Sequence, residues 1–182
     1  TVTLQQTKYR IPHWLTEAII GLDLCPFAAR PHRRQAIRYA VVEESDFDEA
    51  LRSFLDEVEY LVEHPEVATT LVLFTGAFSE FKHLLDAEAV VEFLLEDAGL
   101  LGELQVVSFH PDYVFWGNDP EDQANFANRS PYPMLHILRE DDVADAVERH
   151  PDIQSIPETN IERLQALSFD EIRRRWSLED VE

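Results

Sequence analysis

Cysteine, glycine and positive charge are all scarce in this 182-residue chain, and each scarcity excludes something. One cysteine, Cys25, permits neither an internal disulfide nor a multi-cysteine zinc finger. It fits a reducing compartment, so a cytoplasmic location is expected. Five glycines occur without a G-x-G-x-x-G or G-x-x-x-x-G-K pattern, which removes the common nucleotide-binding loops. No apolar run reaches the ~18 residues of a membrane span, and the amino terminus lacks the charged-then-apolar order of a secretion signal; no membrane partner is expected. Fifteen Lys and Arg stand against 36 Asp and Glu, leaving a net charge of −21 that repels a polyanion, so no nucleic-acid partner is expected either.

The few positive charges are not evenly spread. Residues 1–40 hold Lys8, Arg10, Arg30, Arg33, Arg34 and Arg38 against Glu17 and Asp23, while the rest of the chain is strongly acidic. With 45% apolar residues, the chain is long enough for one well-buried core and short for two, which gives one domain over 1–182. Pro12 to Leu24 has helical spacing and ends before Cys25-Pro26. Ala36 to Glu43 alternates as a strand does. A helix capped by Ser45 or Asp46 follows, up to His64-Pro65. Thr69 to Thr75, Leu104 to Phe109 and Met134 to Arg139 read as three further strands, with a helix over Ser79 to Ala98 between the first two. Helices are expected near Asp141 to Arg149, Ile161 to Leu167 and Phe169 to Trp176, the last capped by Ser168 with Glu171. Helices between successive strands favour an α/β fold with a four-stranded, mostly parallel sheet and flanking helices. The alternative is a ferredoxin-like α+β sandwich, because the long 110–133 segment can also deliver the fourth strand antiparallel.

That segment and the strand after it hold most of the chemically capable side chains. Pro131 and Pro133 stiffen the approach to Met134, so Arg129 is delivered on a rigid loop with Asn128, Ser130 and Tyr132 beside it. A guanidinium there either reads a carboxylate or phosphate through its two-point fork or pairs with one of the chain's many acids. His110 and Asp112 follow the third strand, at the carboxyl rim where open α/β sheets collect ligands. They are either catalytic or local turn formers. His136 interrupts an apolar strand and is either a satisfied core residue or a proton carrier. Cys25 with His110 and His136 makes a soft metal set or a thiol and imidazole pair, although no short ligand spacing supports the metal. The helix end in front of Cys25 raises its thiol pKa. Arg30, Arg33 and Arg34 either extend a positive site or solvate a loop, and Tyr113, Phe115 and Trp116 either form a lid or pack beneath one. The expected activity is that of a small-molecule enzyme or binding protein acting on an anionic metabolite, with Arg129, Asn128 and Tyr132 binding it and His110, His136, Asp112 and Cys25 as the catalytic candidates. The rivals are a non-catalytic interaction module, and a Cys/His metal-binding protein.

Three blocks carry a family resemblance: Gly-Leu-Asp-Leu-Cys-Pro-Phe-Ala (Gly21 to Ala28), Phe-His-Pro (Phe109 to Pro111) and the thirteen residues from Asn128 to Glu140. Together with Ile156-Pro157-Glu158 and Asn160-Ile161, they resemble an uncharacterised bacterial family, domain of unknown function number fourteen-fifteen, over nearly the whole chain. The resemblance implies a bacterial, cytosolic protein and carries no activity or catalytic residue with it.

Overall fold

Four strands form one mixed sheet in the computed structural model, which describes residues 4–149 and 152–178. The chain begins with α1 (Leu4–Trp14), continued by a π-helical stretch (Leu15–Ile20) and the short α2 (Ala29–Arg33). Then come β1 (Ile37–Val42), α3 (Phe47–Glu63), β2 (Thr69–Phe74), α4 (Phe81–Asp97) and β3 (Leu104–Phe109). A long loop containing a 3-10 turn (Gln123–Ala127) leads to β4 (Met134–Arg139), followed by α5 (Glu140–Arg149), α6 (Ile156–Gln165) and α7 (Phe169–Trp176).

The strand order is β1-β2-β4-β3, with β1 and β2 parallel and β4 antiparallel to both β2 and β3. The sheet is therefore mostly antiparallel, which corrects the mostly parallel expectation. Helical crossovers bring β1, β2 and β3 through in one direction. The 110–133 loop then turns the chain back at the same end, so β4 runs the opposite way into the gap between β2 and β3. The ferredoxin-like alternative is not realised: helices precede both the second and third strands and none separates the last two, whereas that fold repeats β-α-β twice.

Strand alternation feeds two cores. Val72, Phe74, Leu135 and Ile137 face α3 and α4, whose apolar stripe runs through Phe54, Leu61, Leu84 and Val91. Leu71, Leu73 and Met134 face the other way, against Trp14, Ile19, Leu164 and Trp176. Because β2 is covered on both faces, all six of its residues are buried.

Local signals explain most boundaries. The Asp46 carboxylate accepts from the Asp48 and Glu49 amides at the start of α3, and Ser168 with Glu171 forms a full capping box on α7. Gly99, at φ 71°, follows the end of α4. The first helix begins earlier than its spacing suggests. Pro12 lies inside α1 rather than at its first turn, and the Thr16 hydroxyl reaches back to the Pro12 and His13 carbonyls. The register then widens, with Gly21 N–H donating to Thr16 O and Leu24 N–H to Ile19 O.

Gly76, just past β2, is fixed by close backbone approach: a β-carbon there would lie 2.1 Å from the Glu43 carbonyl oxygen and 2.7 Å from that of Glu44. Gly76→Ala is expected to destabilise the fold by roughly 3 kcal/mol or more, since backbone rather than a movable side chain must yield. Urea unfolding followed by circular dichroism measures it; a loss below about 1 kcal/mol contradicts the close approach.

Candidate functional site

A cavity of about 460 Å³ opens on the α1 side of the sheet. It lies near the amino ends of β1 and β2 and the carboxyl end of β4, lined there by Ile37, Thr69 and Leu138. This is not the carboxyl rim where His110 and Asp112 sit. The π-helical stretch supplies Leu15 and Ile19 to one wall, and α5 supplies Asp142, Asp145 and Arg149 to another. Arg30, Arg33 and Arg34 of the α2 segment form an exposed lip.

His136 is the titratable group on the sheet floor. Its Nε2 lies 2.6 Å from the Thr69 hydroxyl, which itself lies 2.6 Å from the Ile137 carbonyl. The hydroxyl has one proton and the carbonyl needs it, so imidazole Nε2 is the donor to Thr69 and Nδ1 keeps its lone pair. No group of the described residues bonds Nδ1, and it is not among the buried polar atoms left without a partner. It is therefore open to the cavity. Burial lowers the His136 pKa to about 4, so the ring is neutral at pH 7.

Cys25 and Asn128 also line the cavity. Burial raises the Cys25 thiol pKa, opposed by hydrogen bonds from the Phe27 and Ala28 backbone, so the sulfur is a neutral thiol at pH 7. The direction matches the one the helix end suggests, but desolvation is the cause. Asn128 Nδ2 donates to the Ser108 carbonyl at 3.2 Å and its Oδ1 has no protein donor.

The other sequence candidates lie elsewhere. His110 is fully buried: its Nδ1 accepts from the Asp112 amide and its Nε2 donates to the Phe78 carbonyl, each at 3.0 Å. Neither ring nitrogen is free, and burial lowers its pKa. The Asp112 side chain is exposed next to it. Arg129 donates to the Tyr113 carbonyl at 3.0 Å and the Pro120 carbonyl at 2.7 Å, and its guanidinium sits 4.8 Å from the centre of the Phe126 ring. Its Nε and Nη2 are each bonded to the loop's own backbone, and no carboxylate of the described residues pairs with it. Tyr132 is buried under α1, 5.6 Å from the Arg10 guanidinium, with its hydroxyl unpartnered. Thus Cys25, Asn128 and His136 come together, and His110, Asp112, Arg129 and Tyr132 do not join them. No group of three His, Cys, Asp or Glu able to hold a metal occurs among the described residues.

Thr69 and Asn160 escaped sequence reasoning. Thr69 is one threonine in an apolar strand, and only the β2-β4 register reveals its bond to His136. Asn160, on α6, donates to the Leu24 carbonyl at 2.8 Å while its buried Oδ1 has no partner. It separates the cavity from a smaller polar cleft of about 240 Å³ that includes Asp23, Asp152 and Arg163.

The family described as "Protein of unknown function (DUF1415)" matches residues 6–174, and the chain belongs to it. No curated protein and no solved structure matches. No helix of the described residues is long and apolar enough to cross a membrane.

Two expectations follow from this geometry. Arg129→Lys should lower the melting temperature nearly as much as Arg129→Ala, because one ammonium cannot reach both carbonyls in the guanidinium's geometry; each should cost about 1 to 3 kcal/mol. A lysine variant as stable as the parent rules out that role. For His136, a folded pKa near 4 against an ordinary 6.5 adds nothing above pH 6.5, where both states are neutral. As pH falls from 6.5 toward 4 only the unfolded chain takes the proton, so stability drops by up to about 3 kcal/mol. Subtracting the urea stability of His136→Gln from that of the parent across this range isolates the drop; a flat difference contradicts the burial.

Proposed function

We propose that this protein takes an anionic small molecule into the cavity, with Arg30, Arg33 and Arg34 at the lip drawing in the negative group and His136 on the floor meeting the body of the ligand. The carrying observation is that these three guanidinium groups have no partner among the described residues in a chain of net charge −21. Most other described arginines are occupied: Arg38 by Glu57, Arg149 by Asp145, Arg163 by Asp23 and Arg174 by Glu17, while Arg129 and Arg139 donate to backbone carbonyls. Arg52 is unpartnered too but stands away from the cavity, on α3.

Three unneutralised cations close in sequence, above apolar walls, suit a ligand with an anionic head and an apolar body. The lip is not purely positive, since Asp142 and the paired Asp145 lie across from it. The neutral His136 accepts a hydrogen bond or a proton from the ligand, and a bound negative charge favours its protonated form. The rest of the acidic surface repels an anion, so binding should weaken steeply as salt screens the local positive field.

The rival interaction-module reading draws on one feature. Trp116 is fully exposed on a loop that the buried Asn125 stiffens by accepting from the Phe115 amide and donating to the Asp119 carbonyl.

The test is thermal melting of the parent and of the Arg30→Ala/Arg33→Ala/Arg34→Ala variant in phenylacetate, phenyl phosphate and sulfate at low salt. The variant should fold as stably as the parent, since it removes exposed and unpartnered groups. The parent alone should be stabilised, by about 2.7 kcal/mol when an anion reaches 100 times its Kd. A parent indifferent to all three anions overturns the proposal, as does a variant stabilised equally.

A further inference from the structure

Apart from the Asp142 and Asp145 carboxylates of the α5 wall, the strong donors and the acceptors of the cavity lie in different places. The strong donors with no partner among the described residues are the lip arginines. Deeper, the nitrogen and oxygen atoms without a partner that reach the space are acceptors, His136 Nδ1 and Asn128 Oδ1, beside only the weak S–H donor of Cys25, while the Asn160 Oδ1 is sealed in the wall shared with the smaller cleft. The rest of the lining is chiefly apolar, from Leu15 and Ile19 on one wall and Leu71 and Leu138 beside His136 on the sheet. An acceptor facing an apolar cavity loses its water when a ligand fills the space, and that loss is offset only if the ligand brings a donor.

We infer that the anion this cavity takes carries, on its apolar body, an N–H or O–H donor that meets His136 Nδ1, as a hydroxyaryl or N–H heteroaryl carboxylate or phosphate would. The inference rests on the anion-binding reading and adds the ligand's other end. The Thr69 hydroxyl fixes this polarity from behind: by accepting from Nε2 while donating to Ile137 O, it keeps the ring proton away from the cavity side. A cavity of about 460 Å³ has room for a one- or two-ring compound of this kind. A plain apolar acid would satisfy the lip and leave the floor acceptor stripped of water. The anion alone therefore does not define the ligand.

Matched probes separate the two claims. Calorimetric titration of the parent would compare 4-hydroxyphenylacetate with 4-methoxyphenylacetate, and indole-3-acetate with 1-methylindole-3-acetate; within each pair the charge is the same and the donor is removed. The donor-bearing member should bind about tenfold more tightly or better in at least one pair. In His136→Phe, which keeps a flat ring without any acceptor while the Thr69 hydroxyl still donates to Ile137 O, that preference should fall to within about twofold while the anion still binds. Equal affinity within both pairs, with binding still dependent on the lip arginines, overturns the donor inference and leaves the anion reading standing. A preference that persists undiminished in His136→Phe overturns the assignment to His136. Absence of binding by all four compounds overturns both readings.

Discussion

A single carbonyl oxygen ties the two ends of the chain to its middle. Arg129 O accepts from Trp14 Nε1 at 3.2 Å and from Trp176 Nε1 at 2.9 Å, so the end of α1 and the end of α7 are fastened to the same point of the 110–133 loop. Both indoles are fully buried, which makes the contact costly to lose: either ring would leave a buried donor unsatisfied if the carbonyl moved. The loop is held in turn by the Arg129 guanidinium and by Asn125. The α1 layer over the sheet therefore depends on the backbone of one loop residue. The cavity exists because this layer, pinned at that end, does not fill the face near the amino ends of β1 and β2.

Arg129 and His110, which attract notice as chemistry, are also bound into this loop. Each is a polar group in a stiff, Pro-marked segment; both ring nitrogens of His110 and two of the five N–H donors of Arg129 bond nearby groups of the loop and its flanks. A long irregular loop has many carbonyls and amides that no strand or helix satisfies, so it needs built-in polar side chains to bond them. The lip arginines present the reverse case. They lie in a short segment whose sequence suits either a positive site or a solvated loop, and they keep their donors unpaired among the described residues where an internal partner would be easy to supply in so acidic a chain.

Hydrophobic period and capping signals made the four strands and most of the helices legible in the sequence. The apolar run of β2 and the capping box at Ser168 are local, and local signals survive folding. Strand direction was not legible. It depends on the side from which the 110–133 loop returns, and no residue in that loop encodes a direction by itself. His136 was legible as a polar group in an apolar strand, but its role as a donor toward Thr69 requires the register of β2 against β4. The widening of α1 into a π-helix was hidden for a related reason: it follows from bonds made after Pro12, while the apolar spacing there fits either helix.

The strand order has a consequence for the chain as it is synthesised. β1 and β2 are neighbours in sequence and in space, so they can pair as soon as both have emerged. β3 cannot join them, because the place between it and β2 belongs to β4. Until residue 139 has left the ribosome, β3 has no strand partner and the inner edge of β2 stays open. An unpaired apolar edge invites pairing with other chains. Nascent chains stopped before β4 should then be the ones that need a chaperone.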